Sequence, residues 1–374
     1  MYMAKSSTAY LPRRGIIQLR LVALLLVVAS GMFSAQSSGL GSLDIYVIDV
    51  EGGEATLFVS PSGESMLVDA GWPGYNGRDA ARIVAAAHDA GVTAIDYLLV
   101  THFHTDHMGG SLPLAERIPI RHFVDHGSSP NLGARGQAAF DRYEALREQA
   151  DHLHVEPGDT VPITGLAVQI IAAGGQVLSE PLAGAGASNP ACENFLFHGE
   201  EITNRGGDAE GQLSVSAVVA YGQFRTIIMG DLTWNKEHAL MCPNDKIGPV
   251  DAYLVSHHGA HTSGSEALVY PLKPRAAIMN NGPRKGGASQ TFEILRTVES
   301  LEHLWQNHYA VDAGGLNSPD RFIANLDDGS DQGTAGESPV HAGTADWIKL
   351  SAQADGSFTV TNSRNGLRHG YPAR

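Results

Sequence analysis

Charged residues are few, 17 % against 43 % hydrophobic, which excludes an intrinsically disordered chain and fits a globular one. Cations are fewer still: 25 Lys and Arg face 40 Asp and Glu, for a formal charge of −15. That balance argues against generic, salt-driven nucleic-acid binding, though it leaves room for a local basic site. Beyond the amino terminus no stretch approaches the roughly 18 apolar residues of a membrane span, so stable membrane insertion of the mature chain is not expected. No Gly-x-Ser-x-Gly element occurs, so nothing points to a covalent serine nucleophile. Only two cysteines are present, Cys192 and Cys242. They form either one disulfide or two buried thiols, and a bridge suits an exported chain. No internal repeat is visible.

The amino terminus has the order of an export signal. Lys5, Arg13, Arg14 and Arg20 stand without any acid, residues 21–28 are apolar, and Ala29, Ser30, Gly31, Ser34 and Ala35 follow. We assign residues 1–35 to this signal, with cleavage after Ser30, Gly31 or Ala35 left open. Arg13-Arg14 also fits twin-arginine export, and an uncleaved anchor is the alternative. The expected location is periplasmic or extracellular. Removing those four cations leaves 21 against 40 acids, a formal charge of −19.

Structure is expected from residue 43. Residues 43–50, 55–59 and 65–68 read as a β-meander, 78–90 as a helix stopped by Gly91, and 95–100 as a buried strand. Helices are expected at 112–118, 137–150, 232–241 and 291–302, and strands at 161–172, 214–220, 225–229, 252–255 and 276–279. Residues 173–211, rich in Gly, Ala, Pro and Asn, read as a long irregular insertion. The domain reading is a catalytic domain over 43–325, a flexible linker over 326–345, and a β-hairpin with tail over 346–374. Mixed strands and helices in this order imply two packed sheets flanked by helices.

The chemistry concentrates in His102-Phe103-His104-Thr105-Asp106-His107. Ligand-type residues fill four of these six positions, straight after an apolar strand. Zinc takes imidazole nitrogen and carboxylate oxygen at about 2 Å, usually with four ligands. In extended backbone, side chains two apart share a side, so His102 and His104 converge on one ion. Asp106 and His107 turn toward a second once the chain bends.

This segment resembles the signature of the metallo-β-lactamase superfamily. Asp49 to Ala55 resembles the opening of the metallo-β-lactamase domain in ComEC-type competence proteins. Leu67-Val68-Asp69-Ala70-Gly71, Met229-Gly230-Asp231 and Ser256-His257-His258-Gly259 resemble later motifs, in the right order. The resemblance implies a four-layer α/β fold, an αββα sandwich with its metals at one edge. It also implies two ions, zinc first, with manganese or iron as alternatives. Asp231 would bridge the ions and His258 would complete the ligand set of the second ion. His257 would stand behind it or touch the substrate's developing charge, with the choice between the two histidines open. Asp69 would orient ligands, and Asp106 would help orient the attacking water. One departure stands out: the usual further histidine between the cluster and Asp231 is missing. The competence-type Asn-x-x-Ser element survives only as Gly211-Gln212-Leu213-Ser214, and His198 is the one nearby substitute. The first ion is therefore expected to bind more weakly.

The implied activity is hydrolysis by a metal-bound hydroxide, on a phosphoester or phosphodiester. Lactone, β-lactam or other acyl hydrolysis is the alternative, followed by a low-turnover metal-binding protein and di-iron redox chemistry. The partner is a small-molecule or phosphoester substrate. A DNA-uptake role is not expected, because the membrane helices of a competence channel are absent. Asn280-Asn281-Gly282-Pro283-Arg284-Lys285-Gly286-Gly287 is a basic loop in an acidic protein, either a solvated turn or a partner for a substrate's phosphate or carboxylate. His261, Thr262 and Ser263 are candidates to line the pocket, while His122, His126 and Trp234 read as surface or packing. Oligomeric state is not legible.

Overall fold

The computed structural model of the chain describes residues 41–129, 132–193, 195, 209–327 and 345–374. The segments read as export signal and most of the linker lie outside the described residues, as does His198.

The chain builds β1 (Leu43–Val47), β2 (Thr56–Val59), β3 (Ser65–Val68), β4 (Ile95–Leu99), β5 (Ile120–Asp125) and β6 (Asp151–His154) into one sheet. It then lays down β7 (Thr160–Val161), β8 (Ala167–Ala173), β9 (Gln176–Val177), β10 (Ser216–Tyr221), β11 (Phe224–Ile228), β12 (Ala252–Leu254), β13 (Ala276–Met279), β14 (His303–His308) and β15 (Ile323–Asn325) as a second. Finally β16 (Ile348–Ala352), β17 (Phe358–Asn362) and β18 (Arg368–Tyr371) return to the first. The strand orders are β18-β17-β16-β1-β2-β3-β4-β5-β6 and β15-β14-β13-β12-β11-β10-β8-β7, with β9 on β8.

Alternating side chains decide the layers. Leu43, Ile45 and Val47 of β1 meet Ala276 and Ile278 of β13 in a core between the sheets. Tyr46, on the other face of β1, packs outward with Ile83 and Ala87 of α1 (Arg78–Asp89) and Tyr143 of a later helix. Ala277 and Met279 of β13 likewise face Leu268 and Phe292. Both faces of each sheet are buried, so the central strands read as continuous apolar runs. The remaining described α-helices are α2 (Thr105–Met108), α3 (Ser111–Ala115), α4 (Gly133–Arg147), α5 (Trp234–Met241), α6 (Glu266–Leu272) and α7 (Ser289–Arg296). The result is the expected αββα sandwich. No described helix is long and apolar enough to cross a membrane.

Two local readings change. Residues 161–172 are not one strand, because Pro162 and Gly165 (φ 86°) turn the chain between β7 and β8. The sequence reading set 346–374 apart from the catalytic domain as a hairpin and tail. Instead this segment forms three strands, and β16 pairs antiparallel with β1 from Leu43↔Ala352 to Val47↔Ile348. Its buried Ile348, Leu350 and Ala352 join the core between the sheets, so it completes the first sheet.

Candidate metal centre

The centre lies past the carboxyl ends of β4, β11, β12 and β13, the edge at which open α/β sheets place their sites. Beyond β4 the chain stays extended to His104 (φ −67°, ψ 152°) and then bends into α2. His102 and His104 accordingly share a side, with Nε2 and Nδ1 3.0 Å apart. The turn of α2 carries Asp106 and His107 back over them.

Asp231 arrives through a turn only glycine permits. Gly230 has φ 54°, and a Cβ there would stand 2.9 Å from Thr101 Cβ. Ser214 Oγ accepts the Asp231 N–H at 3.1 Å, so the serine of the incomplete Asn-x-x-Ser element holds this aspartate's backbone. His257 (φ 50°) and His258 (φ 54°) both sit in the left-handed region without being glycine. Such residues cost on the order of 1–3 kcal/mol each and persist where the surroundings hold them. Here His257 N–H donates to Gly230 O at 3.0 Å, and His258 O accepts Gly287 N–H at 2.9 Å.

The donor atoms are regularly spaced. Asp106 Oδ2, His107 Nε2 and His258 Nε2 form a triangle whose three edges are each 3.3 Å. Ligands about 2 Å from a tetrahedral ion stand about 3.3 Å from one another, so this set fits zinc. Asp231 completes it, with Oδ2 3.3 Å from His107 Nε2 and Oδ1 3.7 Å from His258 Nε2. The same aspartate stands 3.6 Å from His102 Nε2, so it faces both halves of the cluster. Among the described residues, His102–His107–Asp231 and Asp106–His107–His258 each gather ligand atoms within 4.8 Å. His258, 1 % exposed, is in the triangle; His257, 17 % exposed, contacts Asp231 Oδ2 at 3.0 Å from the open side. Thr262 Oγ1 and Ser263 Oγ lie 3.0 and 3.2 Å from His257 Nδ1, while His261 is exposed.

Asp69 stands behind the cluster, its Oδ2 2.7 Å from His107 Nδ1, so the Nε2 of that ring is left to face the donors. Thr101 secures Asp69 through its N–H and its hydroxyl, each at 2.7 Å. Burial would raise Asp106 and Asp231. Lys285 and His107 beside the first, and His107, His257, His102 and His258 beside the second, instead hold both well below the usual carboxylate range. Burial drives His102 well below the usual imidazole range, and burial with Lys285 brings His258 down to about 4. Against its burial, His107 is held well above the usual imidazole range by Asp231, Asp106 and Asp69. Neutral imidazole and charged carboxylate are the states that bind metal, so a cation entering the triangle takes the place of that proton.

Three residues escaped the sequence reading. Thr101 is one, a hydroxyl next to His102. Glu210 is another: its buried carboxylate accepts Phe103 N–H at 2.9 Å, between the two convergent histidines, and contacts Ser129 and His126. It directly precedes the incomplete Gly211–Ser214 element, which was the available signal. His126 is therefore a buried partner of Glu210 rather than a surface residue. The third is Lys285, singled out only as part of a basic loop, whose Nζ contacts Asp106 Oδ2 while Arg284 remains exposed. His122 stacks on Tyr97 at 4.9 Å, and Trp234 packs its ring in the outer core.

Hydroxyacylglutathione hydrolase of Acidiphilium cryptum (strain JF-5) is 30 % identical over 156 residues, 41 % of this chain. The match covers 50 % of that protein, so the chain spans about half the length of this curated relative. Among solved structures, the metallo-beta-lactamase fold protein YhfI from Bacillus subtilis is similar over 71 % of this chain and 95 % of its own, at 11 % identity and TM-score 0.42. CmlA, a diiron beta-hydroxylase from Streptomyces venezuelae, is similar over 71 % of this chain and 48 % of its own, at 15 % identity and TM-score 0.36. The model of the metallo-beta-lactamase superfamily matches residues 48–279, a span that holds the cluster from Asp69 to His258 together, and the chain belongs to that superfamily.

Proposed function

We propose that this chain is an exported, zinc-dependent hydrolase of phosphoesters or phosphodiesters, of the ComEC-like branch. The observation that carries the metal assignment is the even donor triangle of Asp106, His107 and His258, with Asp231 turned to it. These four would hold one ion, and His102, His104 and Asp231 the other. Apart from His107, which the other ion uses, no further histidine is gathered with His102 and Asp231 among the described residues, so the first ion would be held more weakly. When bound, such a pair of cations lowers the pKa of water toward neutrality and polarises the electrophile. The chain's own residues do the rest: Asp69 fixes the His107 ring, Asp231 spans both positions, and His257 presents its ring from the open side, where substrate arrives.

Support for a phosphoester is the ammonium of Lys285 beside the cluster in a strongly acidic protein, together with the competence-type motifs. Acyl hydrolysis is the second reading, favoured by the likeness to the hydroxyacylglutathione hydrolase of Acidiphilium. Export is supported by the order of residues 1–35 and by the Cys192–Cys242 disulfide, which suits an oxidising compartment.

The test is zinc content per chain, followed by turnover of bis(p-nitrophenyl) phosphate, a lactone and a cephalosporin with added zinc or manganese. His104→Ala and Asp231→Ala should each abolish metal-dependent turnover while leaving most of the fold. Full turnover in both would reject the assigned centre, and cleavage of the lactone alone would move the substrate to the acyl class.

A further inference from the structure

The loop after β13 is built against the centre. Gly287 N–H donates to His258 O at 2.9 Å, and Ala288 N–H to Gly259 O at 2.8 Å. At Gly286 (φ 76°) a Cβ would lie 2.1 Å from His258 O, so only glycine allows this approach. On its other side the loop meets the turn at residues 51–53: a Cβ on Gly282 would lie 2.6 Å from Glu51 C, and one on Gly52 2.9 Å from Lys285 Cβ. Gly282 N–H closes the turn onto Lys285 O at 2.9 Å, Val311 N–H donates to Pro283 O at 2.9 Å, and Asn281 Nδ2 donates to His308 O at 2.9 Å. The backbone around Lys285 is thus fixed by the ligand-bearing turn at His258 on one side and by the 51–53 turn and the end of β14 on the other.

Its side chain then reaches inward. Nζ contacts Asp106 Oδ2 and lies 5.0 Å from the centre of the Trp72 ring, a cation–π distance. The side chain is nonetheless 37 % exposed, so the ammonium meets both the buried carboxylate and solvent. Asp106 has a second claim on it, since His107 and His258 surround the same oxygen. Once divalent cations balance Asp69, Asp106 and Asp231, this ammonium is surplus positive charge in a fixed place. Positioned cations of this kind recognise anions.

We propose that Lys285 is the anion-recognition residue of this centre, binding the non-bridging oxygens of a substrate phosphate presented beside Asp106. This rests on the phosphoester reading, and the experiment separates the two. Zinc-loaded full chain is compared as wild type, Lys285→Met, Lys285→Gln and Lys285→Arg. Three quantities are measured: zinc per chain, the Kd of inorganic phosphate by calorimetry, and kcat/KM on bis(p-nitrophenyl) phosphate relative to p-nitrophenyl acetate. Losing a charge-assisted hydrogen bond should weaken phosphate binding about 10- to 100-fold in the Met and Gln variants. The phosphate-to-acetate ratio should fall similarly, Lys285→Arg should recover part of both, and zinc loading should hold.

Unchanged phosphate affinity at full zinc loading overturns the proposal. That pattern with raised zinc affinity would make Lys285 a mere counter-ion that metal displaces. Loss of zinc in both neutral variants also overturns it, by placing Lys285 in the scaffold. If the wild type binds phosphate through Lys285 yet cleaves no phosphoester, the reaction assigned above fails and the anion site stands. If it cleaves phosphoesters and the variants do so with unchanged KM, only the Lys285 assignment fails.

Discussion

Asp69 Oδ2 and His107 Nδ1 stand 2.7 Å apart with both side chains fully buried. A carboxylate there accepts the Nδ1–H, aims the Nε2 lone pair at Asp106 and Asp231, and raises its basicity as a ligand. Asp69→Asn puts an amide where an acceptor is needed. Zinc affinity should fall about 10- to 100-fold, the usual effect of removing such a partner. Competition with a chromogenic chelator measures it, and an unaltered affinity would remove Asp69 from the centre.

The two adjacent histidines should separate cleanly. His258 Nε2 stands 3.3 Å from both Asp106 Oδ2 and His107 Nε2, whereas His257 meets Asp231 Oδ2 from the open side of the cluster. His258→Ala should lower bound zinc by about one ion per chain, since it leaves that ion only Asp106, His107 and the Asp231 that it shares with the other position, short of the usual four-coordinate set. His257→Ala should keep its zinc and lose kcat. Metal analysis beside steady-state kinetics decides, and the reverse pattern would exchange their roles.

The region around His102 was legible because ligand-type residues crowd a short stretch behind an apolar strand. β4, β11 and β13 were legible because burial on both faces makes them apolar throughout. β14 was not: it buries Gln306, Asn307 and His308, polar residues whose contacts come from other segments. Gln306 Nε2 donates to Asn317 Oδ1 at 2.9 Å, Asn307 O accepts from Asn325, and His308 Nε2 lies 2.9 Å from Asp49 Oδ1. Composition cannot reveal a strand whose polarity is repaid by residues far along the chain. The placement of Lys285 had the same character, because a basic loop is visible in sequence but its neighbour Asp106, 179 residues away, is not. So too with β16, whose partner is β1 at the opposite end of the described chain.

Glu237 predicts a pH effect independent of the metal ligands. Its fully buried carboxylate in α5 accepts Gly264 N–H at 2.7 Å and Ser265 N–H at 2.8 Å, and burial pushes it up from 4.5 to about 7. Between those values the folded chain keeps a proton that the unfolded chain has released. Stability from this group is therefore full below pH 4.5, falls as pH rises to about 7, and is level above that. The total fall is on the order of 3 kcal/mol. Glu237→Gln carries no such proton, so urea melts should show the difference between variant and wild type moving in the variant's favour from about pH 5 to about pH 8. A difference that stays constant would contradict the assignment.

The disulfide joins Cys192, in the long insertion, to Cys242, directly after α5, across a separation of 50 residues. Cross-linking at that distance stabilises by about 4 kcal/mol, chiefly by restricting the unfolded chain. The insertion has further anchors that do not depend on the bridge. Asn189 Nδ2 donates to Met241 O at 3.1 Å and to Ala267 O at 2.8 Å, Leu182 N–H to Lys246 O at 2.9 Å, and Gly186 N–H to Asp245 O at 2.7 Å. Replacing both cysteines by serine should thus lower the urea midpoint by an amount worth roughly 3–4 kcal/mol while zinc stoichiometry is kept. The same shift should appear when wild type is unfolded under reductant. Lost zinc in the serine pair would show that the bridge holds the centre's neighbouring loops in place, rather than acting on the unfolded state alone.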